Sequence, residues 1–241
     1  MGKRRWLAML MTAALLTLGA CGTAQETEQG GSPAQTAQSS QGESDTAQAA
    51  EDGSNILIVY FTAAENSGVD AIASASYTTI DGQAMGRVRA VAEMIQEQVG
   101  GDLFSIRTEE VYPADGGELI DYAAQEQDEG ARPELTDHID NLEQYDIVFL
   151  GYPNWWADLP MAVYSFLDEY DLAGKTIIPF NVHNGSRFSR TIETIAELEP
   201  EATVVENGFT VSERTVAEAA GDVATWLEEL GMSGGGDHEE A

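Results

Sequence analysis

From Asn55 to Leu230, short runs of apolar and β-branched residues alternate with segments whose apolar positions recur every third or fourth residue. Asn55 to Phe61 (NILIVYF) is apolar almost without a break, as a strand covered on both faces should be. Val88, Val91, Ala92, Ile95 and Val99 then fall at helical spacing, and Gly100-Gly101 stops the pattern. Leu103 to Ile106 reads as a second strand, Glu118 to Glu129 as a soft helix, and Asp146 to Leu150 (DIVFL) as a third strand. Pro160 opens a helix with Val163, Phe166, Leu167 and Tyr170 on its apolar face. A fourth strand, Lys175 to Phe180 (KTIIPF), carries Pro179 near its end. Thr191 to Leu198 is a short helix and Ala202 to Val211 a broken strand. The last helix places Val216, Ala220, Val223, Trp226, Leu227 and Leu230 on one stripe and ends at Gly231.

Five strands alternating with helices predict an α/β domain built on one doubly wound parallel sheet with helices on both faces. Ligands of such sheets bind beyond the carboxyl ends of the strands, where the strand order reverses. The segments after Phe61, Leu150 and Phe180 are therefore the candidates for chemistry.

After Leu150 come Gly151, Tyr152, Pro153, Asn154, Trp155, Trp156 and Ala157. Neighbours in sequence do not share a face of a helix or strand, so one tryptophan is expected to pack inward and the other to line a surface. A flat aromatic wall beside main-chain amides suits a flat, π-rich ligand. The alternative is that both rings simply plug the loop against the sheet. After Phe180, the residues Asn181, His183, Asn184, Gly185 and Ser186 can offer amide and backbone donors to a polar ring edge. No second histidine or carboxylate is spaced to join His183 in a metal or nucleophile set, so no metal is expected. After Phe61, Thr62 precedes an Ala/Ser-rich stretch to Met85, and Gly86-Arg87-Val88 opens the first long helix. Amides at a helix N-terminus and the Arg87 guanidinium suit an anion, unless Arg87 is merely a solvated first-turn residue. With no G-x-G-x-x-G or G-x-x-x-x-G-K-S/T run present, that anion is expected to be a single phosphate.

Charge narrows the partners. Lysine and arginine number 11 against 42 aspartates and glutamates, for a formal net charge of −31. Nucleic acid is excluded for want of a basic footprint, and anionic headgroups would repel the folded part. The acidity serves solubility or the steering of a basic partner.

The N-terminus reads as an address. Lys3, Arg4 and Arg5, the apolar run Trp6 to Leu18, and small Gly19 and Ala20 have the layout of a secretory signal peptide, too short to span a bilayer comfortably. Leu18-Gly19-Ala20-Cys21 resembles the bacterial lipoprotein cleavage box, which implies that Cys21 becomes the lipidated first residue of an extracytoplasmic, membrane-anchored protein. Cys21 is the single cysteine, so its acylation leaves no thiol, and stability rests on packing. Lasting attachment needs more than one acyl chain. Residues 21–53 are expected to form a flexible tether with a reach of about 30 Å, and 233–241 a polar tail, which bounds the domain at 54–232.

The stretches NILIVYF, GGDLFSI, YDIVFLGYPNWWADLPMAVYSFL, GKTIIPFNVHNGSRF and ATVVENGF resemble the flavodoxin superfamily, in particular a subgroup with a YPxWW loop, and cover most of Asn55 to Met232. The resemblance implies the flavodoxin fold and a non-covalently held FMN. The family's first loop, commonly S/T-x-T-G-N-T, cradles the phosphate. Here Thr62 matches its start, and Gly86-Arg87-Val88 stands where G-N-T is expected, after an insertion filling most of Ala63 to Met85. Two hydroxyl or amide donors are lost by this departure, and Ser67, Ser74, Ser76, Thr78 or Arg87 would have to replace them. The second loop carries over as Tyr152, Pro153, Asn154, Trp155, Trp156 and Ala157, flanking the isoalloxazine. The third carries over as Asn181, His183, Asn184, Gly185 and Ser186, facing the ring edge or the ribityl chain.

The resemblance implies electron transfer, in which the flavin does the redox chemistry and the protein sets its position and potential. Acidic surroundings would lower that potential by disfavouring negative charge on the reduced ring. The partner would be a redox protein or a small electron acceptor. Two other functions stay open: a flavodoxin-fold domain that has lost FMN and binds another ligand or a protein, and an FMN-dependent quinone-type reductase. Nothing in the sequence marks a nicotinamide or quinone site for the latter.

Overall fold

The computed structural model describes residues 55–67 and 77–232. The expected signal peptide, Cys21, the tether and the C-terminal tail lie outside them. In chain order the elements are β1 (Ile56–Phe61), α1 (Ala63–Ser67), β2 (Tyr77–Ile80), β3 (Gln83–Gly86), α2 (Arg87–Val99), β4 (Asp102–Ile106) and α3 (Gly116–Glu129). There follow β5 (Ile147–Pro153), α4 (Met161–Glu169), β6 (Thr176–His183), α5 (Thr191–Leu198), β7 (Thr203–Val204), β8 (Phe209–Ser212) and α6 (Ala220–Glu229).

The main sheet runs β4-β1-β5-β6, with β7 and β8 both paired to the far side of β6, and every pairing in it is parallel. The central strands β1 and β5 alternate between two cores. From β1, Leu57, Val59 and Phe61 enter the core beneath α3, α4 and α5, while Ile56, Ile58 and Tyr60 enter the core beneath α2 and α6. That is why NILIVYF reads as an unbroken apolar run: both faces are covered. The chain steps from β1 to β4 on one side and returns to β5 on the other. The reversal of strand order therefore lies between β1 and β5.

The expected doubly wound five-stranded sheet is present, its fifth strand broken into β7 and β8. The break has a chemical cause. Val205 N–H donates to Ile177 O, and Glu213 N–H to His183 O, so alternate residues of β6 point their backbone groups toward this edge. Pro179 falls in the same phase and has no N–H to give. β6 itself does not end near Pro179 but continues to His183, and β5 likewise runs on to Pro153.

Two elements differ from the sequence pattern. The C-terminal apolar stripe uses Ala219, which is buried, rather than Ala220, which is exposed. The segment begins as a 3-10 turn at Val216–Glu218, whose tighter winding shifts the helical phase. Within the insertion, β2 and β3 form an antiparallel hairpin closed by Asp81-Gly82, both at positive φ (50° and 82°). Asp-Gly is a favoured pair for such a two-residue turn. Among the described residues, no helix is long and apolar enough to cross a membrane.

Candidate functional site

The loops after β1, β5 and β6 leave the same edge of the sheet. The first begins at Thr62, which is wholly buried, and it rejoins the fold at Gly86, directly against Thr62. A Cβ on Gly86 would come within 2.6 Å of Thr62 Oγ1. Gly86 is also the N-cap of α2, with Arg87 half-buried in the first turn and Val88 buried in the core. The two ends of the insertion thus meet, Thr62 lying directly against Gly86. Of the proposed replacement donors, Thr78 sits on β2 opposite Met85. Ser74, Ser76 and the side chain of Ser67 lie outside the described residues.

Carboxylates sit close to this corner. Glu65 of α1 accepts from the Tyr60 hydroxyl (3.2 Å), from Arg89 (3.0 Å) and from Ser105 Oγ. Burial, reinforced by Glu65, pushes the Tyr60 hydroxyl up to about 12. A cleft of about 260 Å³ opens here, lined by Glu65, Tyr77, Arg89 and Glu93. Arg89, its one cationic lining residue, is paired to both glutamates. Glu213, raised by burial, is drawn back down first by Arg87 and then by Arg214, which puts Arg87 in an electrostatic balance with a carboxylate.

The second loop divides its residues between core and surface. Tyr152 is fully buried, and its hydroxyl donates to Thr191 Oγ1 at 2.8 Å. Pro153 is buried as well. Trp155 is 9% exposed and makes edge contacts with Phe61 (5.5 Å) and a tilted one with Tyr112 (5.8 Å). Trp156 is 56% exposed, and its indole N–H donates to the Ile120 carbonyl of α3 at 3.1 Å. One tryptophan packs inward and the other lines a surface, as the sequence predicts. Backbone bonds in both directions between Trp155 and Asp158 close a tight turn with Trp156 (φ 52°) and Ala157 (φ 65°) at its tip. Left-handed backbone at non-glycine residues costs about 1–3 kcal/mol each and concentrates at ligand sites.

The third loop is clasped to the second. Asn154 Nδ2 donates to the Arg187 carbonyl (2.6 Å) and to Ser189 Oγ (3.2 Å). Asn181 Nδ2 donates to the same Arg187 carbonyl (2.8 Å), while Asn181 Oδ1 accepts from Thr210 (2.6 Å). Arg187 and Ser189 are again left-handed, at φ 51° and 53°. Among the described residues, four of the five non-glycine positions at positive φ thus lie in these two loops. The buried Asn154 Oδ1 finds no hydrogen-bond partner among the described residues, an acceptor left open. His183 is buried, and its Nδ1 accepts from Gly185 N–H at 2.8 Å. Burial, and then Arg187, lower its pKa, so the ring is neutral with its proton on Nε2. Asn184, Gly185 and Ser186 are exposed at the tip. Among the described residues, no group of three or more His, Cys, Asp or Glu could hold a metal.

Asp158, Gln127, Tyr164 and Thr191 were not marked by the sequence patterns. Asp158 alone carried a signal, as an aspartate just ahead of a Leu-Pro helix start, where such side chains bond nearby backbone.

An open parallel sheet with helices on both faces, and converging loops at its topological switch point, defines the doubly wound α/β class. Within that class the flavodoxin family profile matches residues 76–230, well over half of the chain, and the chain belongs to this family. A crystal structure from Bacteroides eggerthii, described as a flavoprotein, shares 24% identity at a TM-score of 0.55, over 73% of this chain and 97% of its own. A second, from Bacteroides uniformis, shares 23% identity at a TM-score of 0.53, over 69% of this chain and 97% of its own. No curated protein sequence matches the chain.

Proposed function

We propose that the protein binds FMN across the ends of β1, β5 and β6 and passes electrons through it, as an extracytoplasmic lipoprotein anchored through Cys21. The observation that carries the reading is Trp156. A tryptophan held largely exposed on a strained turn, its indole N–H fixed to Ile120, gains nothing for the core and offers a flat face to a flat ligand.

The remaining residues fit such a ligand. Asn154 Oδ1 supplies an open acceptor for an N–H or O–H donor, and Asn184 and Ser186 are exposed at the tip of the third loop. At the other end, the amides of the first turn of α2 and the Arg87 guanidinium would face the phosphate. When bound, the flavin supplies the capacity to take up and release electrons. The chain would orient it and exclude water through the buried Thr62, Tyr152 and Trp155. Partners of the site are then a redox protein or a small electron acceptor, and nucleic acid is not among them.

The test is titration of the full chain with FMN, followed by flavin fluorescence, beside Trp156→Ala and Arg87→Ala. Saturable binding weakened by both changes supports the reading. A chain that stays colourless and takes up no FMN ends it.

A further inference from the structure

On the flavin assignment above, we propose that Asp158 is a positioning residue of this site, holding the turn that presents Trp156. The turn is closed by Trp155 N–H to Asp158 O (3.1 Å) and Asp158 N–H to Trp155 O (2.9 Å). Its two central residues are tryptophan and alanine, both left-handed, where glycine or asparagine would be at ease. Sequence preference therefore does not set this conformation. Something outside the turn must.

The Asp158 carboxylate is that outside hold. Oδ1 accepts from Leu159 N–H at 2.8 Å and from the Tyr164 hydroxyl at 3.0 Å. Oδ2 accepts from the same hydroxyl at 3.1 Å and from Gln127 Nε2 at 3.2 Å. Gln127 belongs to α3 and Tyr164 to α4, so one side chain fastens the turn to two helices. The Tyr164 ring is itself covered by the Arg132 guanidinium at 4.7 Å, and Arg132 is paired with Asp168. α3 also provides the Ile120 carbonyl that receives the Trp156 indole. The ring is therefore located at both ends from a single helix: through Asp158 and Gln127 at its backbone, and through Ile120 at its tip. Asp158 touches no ligand in this scheme and acts through Trp156.

Full-length Asp158→Ala, Asp158→Asn and Tyr164→Phe are compared in two measurements. The first is solvent exchange of the Trp156 indole N–H without ligand, its resonance assigned by its loss in Trp156→Phe. The Trp226 indole, bonded to the Asn207 carbonyl in another part of the fold, is the internal control. The second is FMN affinity. Asp158→Ala is expected to speed Trp156 exchange and weaken FMN by about tenfold each, the loss of one charge-assisted bond network, with Trp226 unchanged. Tyr164→Phe should give part of this effect. Asparagine keeps an acceptor for Tyr164 and the Leu159 amide but sets a donor opposite Gln127, and should recover part of both readouts. Wild-type exchange at Trp156 in Asp158→Ala overturns the proposal, and so does faster exchange at Trp156 and Trp226 together. If wild-type chain takes up no FMN, the flavin assignment fails, and the exchange measurement still decides whether Asp158 holds Trp156.

Discussion

The side chain of Thr62 lies so close to Gly86 that a Cβ on the glycine would meet Oγ1 at 2.6 Å and Cγ2 at 2.8 Å. These two residues bracket the insertion, and their contact is what lets the first loop keep its corner despite the added chain. Gly86→Ala must push Thr62 aside at a position with no free volume, a cost of about 1–3 kcal/mol. Chemical denaturation should record that loss, and FMN titration a fall in affinity larger than in Ala84→Gly, which alters the exposed part of the same hairpin.

The two adjacent tryptophans should separate cleanly. Trp155→Ala removes a ring packed on Phe61 and Tyr112 and should cost about 3–5 kcal/mol of stability. Trp156→Ala should change stability by no more than about 1 kcal/mol, because its ring is mostly in solvent and loses a single hydrogen bond. Equal losses in urea denaturation would contradict this division.

Asn154 and Asn181 share the Arg187 carbonyl as acceptor. Asn181→Ala leaves the partly buried Thr210 without its acceptor and should destabilise by about 1–3 kcal/mol. With both donors on one oxygen, the double variant Asn154→Ala/Asn181→Ala should differ from the sum of the singles. A double-mutant cycle measures this, and strict additivity would argue against a shared clasp.

Glu126 is 6% exposed and, among the described residues, has one oxygen without a hydrogen-bond partner and accepts from the Tyr112 hydroxyl at 3.4 Å. Burial raises its pKa to about 7 from 4.5, Tyr112 pulls it back, and Glu110 adds to the rise. A carboxyl raised in the folded state contributes fully below its ordinary pKa, and that contribution is lost as pH rises through about 7. Glu126→Gln should therefore be more stable than wild type at pH 8 by about 2 kcal/mol and equal to it at pH 4. Denaturation at the two pH values checks the sign.

His183 should behave in the opposite sense. Its lowered pKa means that the unfolded chain binds the proton more readily, so its contribution to stability is lost as pH falls below the ordinary value of 6.5. NMR titration should place its midpoint below 6.5. A midpoint at or above that value would mean that the ring is not buried beside Arg187 in solution.

The sheet was legible because period and burial agree: runs such as DIVFL have no choice but a doubly covered strand. The inward and outward tryptophans were legible for the same reason. The hairpin was not read from the sequence, although Asp81-Gly82 between YTTI and QAM carries its turn chemistry, because the alanine and serine around it have no strong period. Asp158, Gln127 and Tyr164 meet only through the packing of α3 and α4 against the turn, which no local pattern encodes. The extension of β6 past Pro179 was masked by the proline. A missing N–H ends pairing only on the side toward which it would have pointed.

That one-sided interruption reaches beyond the fold. An outside polypeptide seeking to lengthen the sheet beyond β6 would meet two stubs of two and four residues, offset by the Val205–Gly208 detour, and never a straight run of free backbone groups. Fibril-like stacking of one molecule on the next has no template along this margin, and the imino acid that denies it costs the neighbouring β5 pairing nothing.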